Sequence, residues 1–194
     1  MNKEALNQLI ARRRSLYPNN YSDEKVPDAI IRQMLENANW APTHGMTEPW
    51  SFVVFTGEGL KRLASFQSEL YRDIALKNET YNEVKFQKLS ENPLKASHVI
   101  ALGMKRDPRE KIPEIEEVAA VACAVQNMYL TATANEVGCY WGSGGITYME
   151  EAKSFFGLDT ADKLLGFLYV GYPKIDWPAG KRSPIAEKVT WYSE

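Results

Sequence analysis

Apolar residues recur along this chain at helical spacing in some stretches and as short unbroken runs in others. Over residues 3–14, Leu6, Leu9 and Ile10 lie at i, i+3 and i+4, the mark of a helix with one apolar face. Pro27 suits the first turn of a second helix that runs to about Asn39 and turns Ile30, Ile31, Met34 and Leu35 inward. Residues 51–56, 97–104 and 164–170 are continuous apolar runs bounded by turn residues and predict buried strands. Gly57 and Gly59 open a helical region over 60–89, whose second half is polar enough to be an exposed excursion, and a charged connection with two prolines fills 105–113. Residues 114–137 predict the strongest helix. It is apolar on nearly every side over 118–125, so it belongs at the centre of a core or in an interface between copies. Gly138 stands where a left-handed helix cap is expected. A short helix over 149–156 follows, and alternation over 187–191 predicts an edge strand in the tail.

Few strands are interleaved with long helices, and no glycine-rich turn follows the first strand, which disfavours a doubly wound dinucleotide-binding fold. The pattern predicts an α+β layered domain over residues 1–194, with no internal repeat or linker. With 23 basic and 25 acidic side chains, the chain has no bulk attraction for nucleic acid or an anionic membrane. No stretch approaches the roughly 20 apolar residues of a membrane span, and the N-terminal residues lack the apolar core of a secretory leader. Cys123 and Cys139 have neither zinc-ligand nor redox-motif spacing, so a reduced, cytoplasmic chain is expected.

Three segments carry candidate chemistry. Arg12, Arg13, Arg14 and Ser15 close the first helical stretch; guanidinium forks and a hydroxyl suit a phosphate, whereas helix-end cations that oppose the dipole need no ligand. Trp40 to Trp50 holds Thr43, His44 and Glu48 between Pro42 and Pro49, which read as either a shaped binding loop or a rigid turn. Gly142-Ser143-Gly144-Gly145, beside the flat wall of Trp141, exposes backbone N–H groups that suit a planar heteroaromatic ring, and reads equally as a tight turn. His98 sits inside an apolar run as a satisfied core residue. No metal site, nucleophile elbow or paired carboxylate appears, which points to a bound cofactor that carries the reaction.

Arg13-Arg14-Ser15, Ala41 to His44 with Glu48-Pro49-Trp50, the alanine-rich helix, the stretch from Gly138 to Gly145 and Lys181-Arg182 together resemble, in this order, the nitroreductase family of FMN enzymes and its compact YdjA-like branch. The resemblance implies a nitroreductase-like α+β fold, a layered sheet flanked by helices in an intertwined homodimer. It implies FMN at the subunit interface, reduced by NADH or NADPH. Arg13, Arg14 and Ser15 would hold the phosphate and ribityl oxygens, with Lys181 or Arg182 as a further phosphate partner. Thr43 belongs to the cofactor-binding loop, and His44 would reach the cofactor across the dimer. Trp141, Gly142 and Ser143 would line the isoalloxazine, with Gly144 as a backbone contact.

Three positions depart from the family's pattern: Tyr17 where a basic residue is common, Met46 in place of asparagine and Glu48 in place of glutamine. The resemblance implies an oxidoreductase that takes hydride from NAD(P)H and reduces a nitroaromatic, quinone-like or other small electron acceptor in a ping-pong cycle. The alternative is a flavin-binding module for storage, sensing or partner-supplied electrons, which NAD(P)H would not bleach.

Overall fold

A computed structural model describes residues 2–193. Its element order is α1 (Lys3–Arg12), α2 (Asp28–Asn39), β1 (Trp50–Thr56), α3 (Glu58–Lys77), α4 (Glu83–Glu91), β2 (His98–Met104), α5 (Glu114–Ala134), β3 (Gly138–Gly142) and β4 (Lys163–Gly171), with short 3₁₀ turns between them. The four strands form one antiparallel sheet in the order β1-β2-β4-β3. Helices cover both of its faces, so the architecture is the expected α+β.

The sheet explains why the strand segments read as unbroken apolar runs. Alternate residues of β2 serve opposite layers: Val99 and Ala101 join Phe55, Phe167 and the buried side of α3, while Ile100, Leu102 and Met104 join Leu168, Val170, α2 and α5. Every residue of β2 is buried, as a central strand with two covered faces requires.

Local chemistry sets the boundaries. The Asn2 side chain accepts the Ala5 N–H at 2.8 Å to cap α1, Asn82 does the same for Lys85 at 3.0 Å at the start of α4, and Pro113 precedes α5. The region predicted as one helix over 60–89 is two. Glu79 adopts a positive φ of 55°, Thr80 N–H returns to the Ala75 carbonyl at 2.8 Å, and Asn82 restarts the chain as α4. No glycine or proline marks that break, which is why it was not legible.

Two further expectations are corrected at the other end of α5. The left-handed residue after the helix is Glu136, with φ 57°, and Gly138 opens β3, a strand that the sequence pattern did not reveal. Its apolar run, Cys139 to Trp141, is only three residues long and is bracketed by glycines. The tail over 187–191 does not pair with the chain's own sheet: Ile185–Lys188 is a 3₁₀ turn, and Trp191 and Tyr192 are 87% and 93% exposed.

Among the described residues, buried side-chain polar atoms other than Gln67 Oε1 are partnered. Glu117 is fully buried, accepts the Asp107 N–H at 2.9 Å and pairs with the Arg106 guanidinium, which also donates to the Ile112 carbonyl at 2.8 Å. This anchors the charged connection over 105–113 to α5. His98 is the satisfied core histidine expected: Nδ1 lies 3.0 Å from Ser97 Oγ and Nε2 3.1 Å from Asp28 Oδ1.

Burial holds the His98 imidazole below its ordinary pKa, with Asp28 pulling in the opposite direction. A lowered folded pKa means that the unfolded chain takes up the proton first. The stabilisation is therefore complete above the unfolded value of about 6.5 and is lost as pH falls towards the folded value. Urea midpoints of the native protein should fall between about pH 7 and pH 5.5 more steeply than those of His98→Gln; parallel profiles would contradict this assignment.

Candidate flavin site

The C-terminal end of α1 does not present three equivalent arginines. Arg12 forms a bidentate pair with Glu136 and lies 5.1 Å from the centre of the Trp177 ring, and this pairing holds the Glu136 carboxyl below its usual pKa. Arg14 turns to main-chain carbonyls, donating to Ala11 at 2.7 Å, Arg13 at 2.6 Å and Pro178 at 3.1 Å. It thereby fastens the start of the tail beside Gly180. Arg13 is the one of the three whose guanidinium has no hydrogen-bonded oxygen among the described residues, and it sits over the Tyr129 ring at 5.1 Å.

Arg13 opens onto a cleft of about 510 Å³ whose walls include Ser15, Tyr129, Trp141 and Ser143. Gln126 and Arg13 are shared with a second cleft of about 510 Å³, which Arg14, Gly180 and Arg182 complete. The two clefts adjoin at these residues, one with an aromatic wall and the other cationic. Ser15 reaches the first because the chain after α1 runs beside β3: Ser15 bridges Cys139, and Leu16 N–H donates to the Cys139 carbonyl at 2.9 Å.

Trp141 is held at both its polar groups. Its backbone N–H donates to Tyr129 Oη at 2.7 Å, and its indole Nε1–H donates to the Leu165 carbonyl at 2.9 Å. Gly166, at φ 124°, allows this approach, since a Cβ there would collide with the Gly142 carbonyl and the Trp141 indole nitrogen. The indole is thus a fixed wall rather than a mobile cover.

Tyr129 and Gln126 were missed by sequence reasoning. They lie one turn apart on α5 in a run that read as uniform core, and their only signal was polarity within an apolar helix. Position 17, where the family commonly has a cation, contributes none: Tyr17 stacks against Tyr140 at 4.5 Å.

The remaining predicted residues do not join this cleft in the chain described. Thr43 Oγ1 lies 3.0 Å from Thr47 Oγ1 and accepts the Glu48 N–H at 3.2 Å, so it stabilises its own loop. His44 Nδ1 lies 2.5 Å from Glu116 Oε2 at the start of α5. The loop is shaped by unusual backbone as well as by its prolines, since Gly45, Met46 and Glu48 have φ values of 61°, 52° and 44°. Lys181 is exposed; its carbonyl accepts the Arg182 guanidinium at 2.7 Å. Gly142 and Gly144 line a smaller cavity on the opposite face of β3.

The Nitroreductase family model matches residues 10–172, a span that holds the whole sheet and most of the cleft. The chain belongs to the nitroreductase family. YfhC of Bacillus subtilis (strain 168), whose name assigns it to the NAD(P)H nitroreductases, is 29% identical over 190 residues, 95% of this chain and 93% of YfhC. The crystal structure of a nitroreductase-like family protein from Bacillus cereus superposes with a TM-score of 0.83 at 29% identity, covering 100% of this chain and 99% of the other. That of the FMN-dependent nitroreductase NfnB from Mycobacterium smegmatis, in complex with NADPH, superposes with a TM-score of 0.73 at 19% identity, covering 98% and 99%. At that identity the likeness is one of fold. No described helix of this nitroreductase-family chain is long and apolar enough to cross a membrane.

Tyr129→Phe keeps the ring but leaves the Trp141 N–H without its acceptor. It should lower the unfolding free energy by about 1–3 kcal/mol, read from urea denaturation. A variant as stable as the native protein would mean that this bond does not hold the cleft wall.

Proposed function

We propose that this chain, as a single domain and a homodimer, is an FMN-dependent oxidoreductase. It takes hydride from NADH or NADPH and reduces a small acceptor, nitroaromatic or quinone-like, in a ping-pong cycle. The observation that carries this reading is the pair of adjoining clefts that share Arg13, one with Ser15 and Trp141 and the other with Arg182. A phosphorylated planar ring has the same polarity, and the match to the donor set is chemical: guanidinium forks for phosphate oxygens, a hydroxyl for ribityl oxygens and an indole wall for the ring. The family membership supports it, as does the fold shared with NfnB, an FMN-dependent nitroreductase in complex with NADPH.

In this reading Arg13 and Ser15 bind the phosphate and ribityl chain, and Arg14 orders the backbone that carries Arg182, and Lys181 beside it, to the same end. Trp141 and Ser143 orient the ring, while Gly142 and Gly144, which line the cavity behind β3, shape the turn that carries Ser143. Bound flavin supplies the hydride-accepting and hydride-donating chemistry. The Cys139 thiol takes no part: it is fully buried, and burial pushes its pKa far above the ordinary range, so it supplies no thiolate. A supply of NAD(P)H places the work in the cytoplasm, where both free cysteines stay reduced.

Apolar surface that one chain leaves uncovered supports the dimer. The side of α5 away from the core exposes Ile115, Ala119, Ala122 and Cys123, and α1 has no buried residue, with Leu6 and Ile10 exposed. Contiguous apolar surface of this kind marks an interface, and an obligate one typically buries more than ~2,000 Å². Thr43 and His44 then act on the partner's cofactor. Sedimentation equilibrium should give a dimer at micromolar concentration; a monomer would remove that role for His44.

The purified protein should be yellow, and anaerobic NADH or NADPH should bleach it. Flavin that stays oxidised with both nucleotides would favour a storage or sensing module instead. Arg13→Ala should weaken FMN binding by about 10- to 100-fold, the loss of a charge-assisted bond worth about 1.5–3 kcal/mol, in a fluorescence titration. Unchanged affinity would return the arginines to a helix-dipole role. Stopped-flow reduction of FMN-saturated Cys123→Ala and Cys139→Ser should remain within about tenfold of the native rate, roughly 1.4 kcal/mol. A loss of several orders of magnitude with flavin bound would implicate a thiol.

A further inference from the structure

The smaller cavity on the other face of β3 has a volume of about 260 Å³ and lies between that strand, β4 and the α3–α4 pair. Its floor holds Gln67, which is fully buried. Gln67 Nε2 donates to the Leu89 carbonyl at 3.0 Å, and its Oε1 is the one buried side-chain polar atom without a protein partner among the described residues. The walls are Tyr140, Phe167 and Tyr169, with Leu89 opposite them. At the rim stand two exposed lysines of α4, Lys85 and Lys88, and neither has an ion-pair partner among the described residues. Lys85 Nζ lies over the Tyr71 ring at 4.6 Å, an arrangement that leaves its charge unneutralised.

These groups differ in what they require. Gln67 Oε1 accepts only, so its complement is a hydrogen-bond donor. The lysines donate only and carry positive charge, so their complement is an anion. Burial pushes the Tyr169 phenol up to about 12, so near neutrality it too remains a protonated donor. The walls between floor and rim are aromatic, and the volume is below the ~300–1,000 Å³ of pockets for larger ligands. We infer that this cavity binds a small hydroxyaryl carboxylate, its hydroxyl donating to Gln67 Oε1, its ring against Tyr140 and Phe167, and its carboxylate at Lys85 and Lys88. The site is separate from the cleft of Arg13 and Trp141, because β3 lies between them. It goes beyond the flavin reading and does not depend on it.

Calorimetric titration of the FMN-reconstituted protein with para-hydroxybenzoate, benzoate and phenol tests the inference. The flavin spectrum is recorded in parallel. Para-hydroxybenzoate should bind at least about tenfold more tightly than benzoate, which lacks the donor, and than phenol, which lacks the charge. The double variant Lys85→Ala/Lys88→Ala changes two exposed side chains and should fold normally. It should weaken para-hydroxybenzoate binding by about tenfold or more and flatten its salt dependence. Gln67→Met should abolish the preference over benzoate. Should that variant fail to fold, the comparison of ligands on the native protein and the lysine variant still decides.

Equal affinity for para-hydroxybenzoate and benzoate, no saturable binding, or an unaffected lysine variant would overturn the inference and leave a solvent-filled cavity. Displacement of FMN by the probe would also overturn it, by making the cavity part of the flavin cleft. A protein that takes up no FMN and yet binds the probes in the expected order would sink the flavin reading and support this one.

Discussion

The Tyr129 hydroxyl accepts the Trp141 amide at 2.7 Å while the face of the same ring lies 5.1 Å from the Arg13 guanidinium, so one side chain of α5 joins the central helix, the edge strand and the basic segment after α1. Each of the three would be weakly placed alone. The chain after α1 touches β3 through an isolated bridge at Ser15 and Cys139, and β3 has only β4 as a ladder partner. A buried phenol that pairs with an otherwise orphaned N–H on one side and a cation on the other fixes their spacing without any charge of its own. That spacing is the width of the proposed cofactor cleft.

Around this junction the cations have divided their work. Arg12, held by Glu136 and Trp177, ties α1 to the end of α5, and Arg14, held by three carbonyls, ties it to the tail. Both are consumed by structure and so leave Arg13 and Arg182 facing the cleft. The adjacent arginines are therefore not redundant, although helix-end cations of one type look interchangeable in a sequence. The short strand β3 separates a cationic cleft with an indole wall from a smaller cavity with two lysines at its rim. Successive side chains produce that difference, because Trp141 and Tyr140 point to opposite faces of the sheet.

Much of this was legible from periodicity. The apolar runs over 51–56, 97–104 and 164–170 became β1, β2 and β4 because buried strands need continuous apolar sequence. The helices α2 and α5 were marked by a proline start and a sustained apolar pattern. The break between α3 and α4 and the left-handed Glu136 were not legible, because each rests on backbone geometry in residues without strong preference, and β3 was not, because its three apolar residues are too few between glycines. Candidate site residues were legible as types, namely arginines, a hydroxyl and an indole. Their grouping was not: Tyr129 and Gln126 hide in an apolar helix, and Thr43 and His44 lie on a loop that a single protomer keeps out of the cleft. The solitary Gln67 in the floor of the second cavity left no trace in the pattern, since it occupies an inward position of an otherwise ordinary amphipathic helix.

A crystal structure of the FMN complex tests the central claim most directly. The account places the phosphate at Arg13 and Ser15 with Arg182 beside it, and the isoalloxazine against Trp141, with Thr43 and His44 arriving from the second copy. A phosphate bound elsewhere, or a ring lodged behind β3 against Gln67, would contradict it.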